Sequence, residues 1–335
     1  LIFKPRLYWR RHQDMYEFVR QNPAIYRNLH LTNKVGAEFN ASYASKSGVT
    51  GFGVDFAKVF LSSNNLGNRE REMITVFLEH RFVLADNKLD ITPGVAGTYF
   101  SDFDFHAFPG IDVGYRINSH LKLYANAGYT YRIPTYTDLF YSDPTTLGNE
   151  NLNPEEAISE EIGVTFSHSN IDISAALFNR NSTNIIDYVK NMETDLWQAT
   201  NIQELNSYGL ETNIKYRFNV LGHQQRMQLG YTYLKEALDA SRFAFSRYSI
   251  NSLKHHLTIT NHSQFLKNVS HSIVYKFAER TNGDTYSVVD LKITLNVKAF
   301  EFSIIGNNIF NEIYTETNQV PMPKGNVLLD VGYKF

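Results

Sequence analysis

Val289-Asp290-Leu291-Lys292-Ile293-Thr294-Leu295-Asn296-Val297-Lys298 alternates apolar and polar residues without a break. Successive side chains of a strand point to opposite faces, so this segment has one greasy face and one hydrophilic face. A helix would scatter both sets around its circumference. The same alternation holds in Leu121–Arg132, where Leu121, Leu123, Ala125, Ala127, Tyr129 and Tyr131 share a face, and in Tyr208–Phe218. It closes the chain in Asn326–Phe335, with Leu328 the one exception. About 16 such segments occupy the chain, several beyond the usual strand length of about 5–6 residues, and none reads as helix.

The connections differ in length on the two sides. Short ones fall at Lys46–Ser47, Asp86–Asn87, Ser119, Ser169–Asn170, Asn219–Gln224, Leu266–Asn268 and Lys298–Phe300. Longer ones alternate with them: Gln21–Arg27, Ser63–Asn68, Asp102–Asp104, Ile133–Glu155, Lys190–Thr194, Asp239–Ser246, Thr281–Thr285 and Glu312–Gly325. Short turns at one end and long loops at the other describe an antiparallel up-and-down transmembrane β-barrel. Apolar faces end in Tyr115, Tyr129, Tyr131, Phe166, Phe218, Tyr231, Tyr233, Tyr275, Phe277, Tyr333 and Phe335, rings suited to a membrane–water interface.

Composition agrees. The 335 residues are 14% aromatic, a level supplied by Phe and Tyr rather than Trp, and no run of about 18 apolar residues offers a membrane helix. A formal charge of −2 gives no basic stripe for nucleic acid, and the absence of Cys excludes disulfides and thiolate metal sites. Leu1 begins without Met or a leader, so the chain is expected to be a mature or truncated portion.

Several motifs then carry a family resemblance. Tyr131-Arg132-Ile133-Pro134-Thr135-Tyr136-Thr137-Asp138-Leu139-Phe140-Tyr141 runs from a strand top into a loop. Gly148-Asn149-Glu150-Asn151-Leu152-Asn153-Pro154-Glu155 precedes Glu160-Glu161-Ile162-Gly163. Asn307-Asn308-Ile309-Phe310-Asn311, Tyr314 and Pro321-Met322-Pro323 lead into the last strand. Together they resemble the barrel of TonB-dependent outer-membrane receptors, particularly vitamin B12-type transporters. Lys324-Gly325 departs from the family's Gly-Arg after the second proline.

The resemblance implies that residues 1–335 are the C-terminal portion of a 22-stranded barrel whose first strands and N-terminal plug lie outside this chain. It implies an outer-membrane importer of a Gram-negative bacterium, taking up cobalamin or an iron-siderophore with energy from the TonB–ExbB–ExbD complex. A surface lipoprotein partner is left open. Tyr333 and Phe335 resemble the signal read by the outer-membrane assembly machinery. The rivals are a passive 16-stranded porin, whose first strand would close on its last, and a secreted all-β carbohydrate-binding or structural protein.

The residues themselves give architecture more than chemistry. Gly148 and Asn149 suit a turn with positive φ, Pro154 holds Asn153 extended, and Asn308 and Asn311 suit backbone capping at a strand top. Gly51-Phe52-Gly53 suits a tight strand approach rather than a phosphate loop. No nucleophile elbow, P-loop or zinc helix is present, and no cofactor or catalytic residue is expected. Asp102, Asp104 and His106 would share one face of an extended strand, a weak cation candidate. His255 and His256 should diverge, as should the pairs Glu155-Glu156 and Glu160-Glu161. For a bulky polar ligand, the aromatic and acidic residues of the long loops stand out: Tyr136, Phe140, Tyr141, Asp143, Trp197 near Asp195, Tyr314 and Asn318.

Overall fold

The alternating segments become strands in a computed structural model, which describes residues 1–238, 243–247, 252–316 and 320–335. Strands β1 (Ile2–Glu17), β2 (Arg27–Ser45), β3 (Gly48–Ser63), β4 (Gly67–Leu84), β5 (Leu89–Phe100), β6 (Asp104–Arg116) and β7 (Leu121–Arg132) come first. A helix, α1 (Tyr136–Phe140), and a short strand, β8 (Thr146–Leu147), lie within the next loop. Then come β9 (Glu155–His168), β10 (Ile171–Lys190), β11 (Trp197–Val220), β12 (His223–Leu238) and the short β13 (Phe245–Ser246). The chain ends with β14 (Leu253–Leu266), β15 (Val269–Arg280), β16 (Thr285–Val297), β17 (Phe300–Asn307) and β18 (Asn326–Tyr333). Setting aside the two-residue β8 and β13, the described strands number sixteen, as the alternation predicts.

Each long strand pairs antiparallel with its sequence neighbours, in up-and-down order from β1 to β18. β1 pairs only with β2, and β18 only with β17, so the described sheet does not close on itself. The closed sixteen-stranded channel is therefore not what this chain forms.

Register places the apolar residues side by side. Phe52 faces Leu78, Leu78 faces Val95, and Val95 faces Pro109. Ile162 faces Leu177, Leu177 faces Leu210, and Leu210 faces Tyr233. Ile293 faces Ile304, and Ile304 faces Leu329. Each such pair contributes roughly 0.2–1 kcal/mol. Among the described residues nothing covers this face: Ile162 is 61% exposed, Leu177 58% and Leu329 79%. An apolar band of that extent does not stay in water. It requires lipid, and closed strands are one of only two ways a chain can satisfy its backbone there.

The opposite face is polar and carries its own packing device. Small residues let inward rings lie flat against the wall: Tyr8 over Gly36, Phe77 over Gly53, Tyr124 over Gly163 and Phe178 over Gly209. Gly51 and Gly53 thus serve close approach, making room for Glu79 and for Phe77 with Asn40. His255 and His256 point apart, His255 bonding Tyr231 Oη at 2.8 Å on the outer face.

The length asymmetry holds in part: connections 64–66, 101–103 and 281–284, expected among the longer ones, are no longer than turns 85–88 and 117–120. Turns 46–47, 85–88, 117–120, 169–170, 221–222, 267–268 and 298–299 lie at one end, and loops 18–26, 133–154, 191–196 and 308–325 at the other. Residues Tyr136–Phe140 form helix α1, where the alternation offered no helix. Parts of three predicted features, residues 239–242 and 317–319 of two loops and 248–251 of one strand, lie outside the described residues.

Candidate ligand-capture site

The longest described loop, 133–154, is fixed by a few strong contacts at its base. Thr135 and Asp138 form a capping box at the start of α1: Thr135 Oγ1 accepts from Asp138 N at 3.1 Å, and Asp138 Oδ2 accepts from Thr135 N at 2.9 Å. Arg71 reaches over from β4. Its Nε donates to both carboxylate oxygens of Asp102 at 2.9 and 2.8 Å, and its Nη2 donates to the Pro134 carbonyl at 3.3 Å. Beneath, Leu139 and Leu152 pack with Ile186, Tyr188 and Ala199 of β10 and β11.

Gly148 does not have the positive φ expected of it. A Cβ at this position would lie 2.8 Å from the backbone of Leu139 and Phe140, so glycine is needed because two stretches of chain touch. Asn149 likewise has ordinary φ, and its role is to bridge: Nδ2 donates to the Ala199 carbonyl at 3.2 Å, and its backbone N donates to Asp138 O at 2.8 Å. In the last loop, Asn308 and Asn311 do cap backbone as expected. Asn308 Oδ1 accepts from Glu312 N at 2.8 Å, and Asn311 Oδ1 accepts from Gly325 N at 3.0 Å.

Between α1, the top of β10 and Arg247, which follows β13, lies a cavity of about 680 Å³, predominantly polar in its lining. Arg132 sits at its edge, held by Glu155 at 2.5 and 2.6 Å and by Asp138 at 3.4 Å. Arg247 donates from Nη2 to Thr146 Oγ1 at 2.8 Å and lies against the rings of Tyr188 and Trp197. Fully buried Asp187 accepts from Ser246 Oγ at 2.5 Å and from Tyr188 N at 2.6 Å, tying β10 to β13. Tyr141 Oη donates to Asp143 Oδ2 at 2.9 Å and meets Tyr26 of the first loop and Asn28 of β2. Burial, then the bonds to Tyr26 and Asp143, push the Tyr141 phenol up. Burial alone would raise Asp143; donation by the Thr145 backbone and hydroxyl and by Tyr141 outweighs it and lowers that carboxyl below its ordinary value.

The nominated residues divide among several places. Tyr141 and Asp143 line the cavity. Phe140 and Trp197 pack against the loop's own core, and Arg69 covers the Phe140 ring at 3.6 Å. Tyr136 lies beneath the Arg71 guanidinium at 4.8 Å with its hydroxyl buried, and burial raises its pKa. Asp195 caps a turn, accepting from Met192 N at 2.8 Å. Tyr314 is elsewhere, against Tyr286 with ring centroids 4.5 Å apart. Asn318 lies outside the described residues.

The cation candidates do not share a strand face. Asp102 is in the turn before β6 and is taken by Arg71, and Asp104 has φ 58°. His106 stacks on Tyr131 at 3.6 Å with Nε2 2.5 Å from the Phe103 carbonyl. Among the described residues no group of three or more His, Asp or Glu could hold a metal ion. No local pattern announces Arg71, Tyr26, Asn28, Asp187 and Arg247, since strands and loops distant in sequence deliver them.

Residues 6–309 match the family described as TonB dependent receptor-like, beta-barrel. The chain belongs to the TonB-dependent receptor family. It is 27% identical over 233 residues to the vitamin B12 transporter BtuB of Photobacterium profundum, covering 66% of this chain and 36% of that protein. Against BtuB of Vibrio cholerae O1 the identity is 24% over 239 residues, covering 67% and 36%. The matched region is thus little over a third of those curated relatives' length. In fold, the receptor chain is similar to the siderophore receptor PirA of Pseudomonas aeruginosa, with a TM-score of 0.74 at 15% identity over 92% of this chain and 58% of that one. It is similar too to the copper transporter OprC, with a TM-score of 0.80 at 13% identity over 99% and 63%. TonB-dependent receptors of this kind lie in the outer membrane of Gram-negative bacteria, which supplies the lipid that the apolar face requires. The family is one of transporters and receptors and serves nutrient uptake.

Proposed function

We propose that this chain forms most of the barrel wall of a receptor that captures a scarce, bulky nutrient at the cell surface and imports it with energy relayed by TonB, ExbB and ExbD. Residues 1–335 would be the C-terminal portion of a longer barrel enclosing a plug, a reading supported by the greater length of the relatives. Cobalamin is the first ligand and an iron-siderophore the second. The vitamin B12 relatives favour the former, and neither rests on the fold similarity.

The observation that carries capture is the cavity of about 680 Å³ at the long-loop end, framed by Arg132, Arg247, Tyr141 and Asp143. Its size suits a small-molecule site, and its mixed donors and acceptors suit a ligand with amide and phosphate or catecholate oxygens. In the intact receptor, Tyr141→Ala and Arg247→Ala are expected to weaken surface binding of the cognate ligand about tenfold or more each, the effect of losing a well-placed polar contact. Radiolabelled cobalamin and ferric siderophores measured in parallel separate the two ligand classes. Unchanged affinity in both variants removes this cavity from capture. Energy coupling is read separately: abolishing the proton gradient should stop uptake and leave surface binding intact.

A further inference from the structure

Cations are engaged at both ends of the sheet: Arg71 by Asp102, Arg132 by Glu155, Arg69 by the Phe140 ring and Lys190 by the Trp197 ring at the long-loop end, and Arg81 by Asp90, Arg217 by Asp172 and Lys334 by Glu301 beside the short turns. At the short-turn end, Lys46, Lys88, Lys267 and Lys298 sit in turns 46–47, 85–88, 267–268 and 298–299, all exposed. None of the ion pairs or side-chain hydrogen bonds among the described residues involves their ammonium groups. Asp86 is the single carboxylate in the short turns.

These lysines are spread along the rim from the β2–β3 turn to the β16–β17 turn rather than gathered in a patch. Exposed apolar side chains share this end: Leu266 and Phe265, beside Lys267, are 58% and 56% exposed, and Leu221, in the lysine-free turn 221–222, is 94% exposed. Just above, on the outer face, a belt of ring pairs continues the lipid-facing band: Phe82 with His80 at 4.2 Å, Phe265 with His271 at 4.2 Å, and Phe300 with Tyr333 at 5.0 Å. A flexible lysine stem lies along apolar surface while its ammonium extends to the polar boundary.

We propose that this rim binds anionic phospholipid headgroups of the leaflet at the short-turn side, each turn lysine pairing a phosphodiester while the neighbouring rings and leucines seat the acyl shoulder. Continuity with the lipid-facing band identifies the occupant as membrane rather than protein. A soluble acidic partner would have no use for Leu221 and Phe265, and no reason to contact turns so widely distributed around the wall.

The test uses the complete receptor, purified in a zwitterionic detergent, with phosphatidylglycerol and phosphatidylethanolamine titrated in competition and retained lipids counted by native mass spectrometry. The wild type is expected to retain phosphatidylglycerol preferentially. The combined K46Q, K88Q, K267Q and K298Q variant should lose that preference by about tenfold or more, since each lysine near an anionic surface contributes measurably. The corresponding lysine-to-arginine variant should keep it. Heat-modifiable migration on gels confirms that both variants are folded barrels. No preference in the wild type, or an undiminished preference in the folded glutamine variant, overturns the proposal.

Discussion

Two single residues bear the geometry of the long loop. At Gly148 a methyl group would meet the Leu139 and Phe140 backbone at 2.8 Å, and backbone cannot step aside as a side chain can. Gly148→Ala is expected to cost about 1–3 kcal/mol of local stability, seen as faster hydrogen exchange and protease cutting in 133–154 with the strands unaffected. Arg71, with only 9% of its side chain exposed, holds both Asp102 and the Pro134 carbonyl. Arg71→Met should loosen the same loop by about 1–3 kcal/mol, less than a fully buried pair because Asp102 is a third exposed. Asp143 gives the loop a pH dependence. Its folded pKa lies below the ordinary value of 3.8, so its ionised form stabilises the loop above that pH, and the contribution is lost as pH falls through the lowered folded value. Exchange protection at Tyr141–Thr146 should therefore fall on acidification below about pH 4, and Asp143→Asn should flatten that dependence.

At the scale of the element, alternation in the sequence sufficed for the strands because one property, which face meets lipid, is written at every second position. Val289–Val297 needs no information from elsewhere to be recognised. Helix α1 escaped because it is one turn long and shows no apolar period, although Thr135-Tyr136-Thr137-Asp138 spells a capping box that could have announced it. The site was half legible for the same reason. Tyr141 and Asp143 stand out as polar aromatic and acid on a long loop, whereas Phe140 and Trp197 have the same appearance and are spent on packing. Only contacts from β2, β4 and the Arg247 segment separate those roles, and no local pattern encodes them. The face assignment itself is testable. Ile162→Arg or Leu177→Arg, at outward mid-strand positions, should cost about 2–4 kcal/mol of folding free energy in vesicles. Ser174→Arg, one face over, should cost far less. Equal costs would mean that the faces are wrongly assigned.

For the whole molecule, a wall of antiparallel strands with lipid outside and water within explains features that no soluble architecture accommodates together: the exposed apolar band, the polar inner face, and long loops gathered at one end above it. The absence of Cys from these 335 residues keeps labelling background out of this wall, so single cysteines can be introduced in it. Spin labels at Leu291, Lys292, Ile293, Thr294 and Leu295 of the receptor in lipid bilayers would be scored for collision with oxygen, which partitions into lipid, and with a water-soluble nickel chelate. Labels at 291, 293 and 295 should favour oxygen, and labels at 292 and 294 the chelate. A flat profile, or one repeating every three to four residues, would contradict the membrane wall.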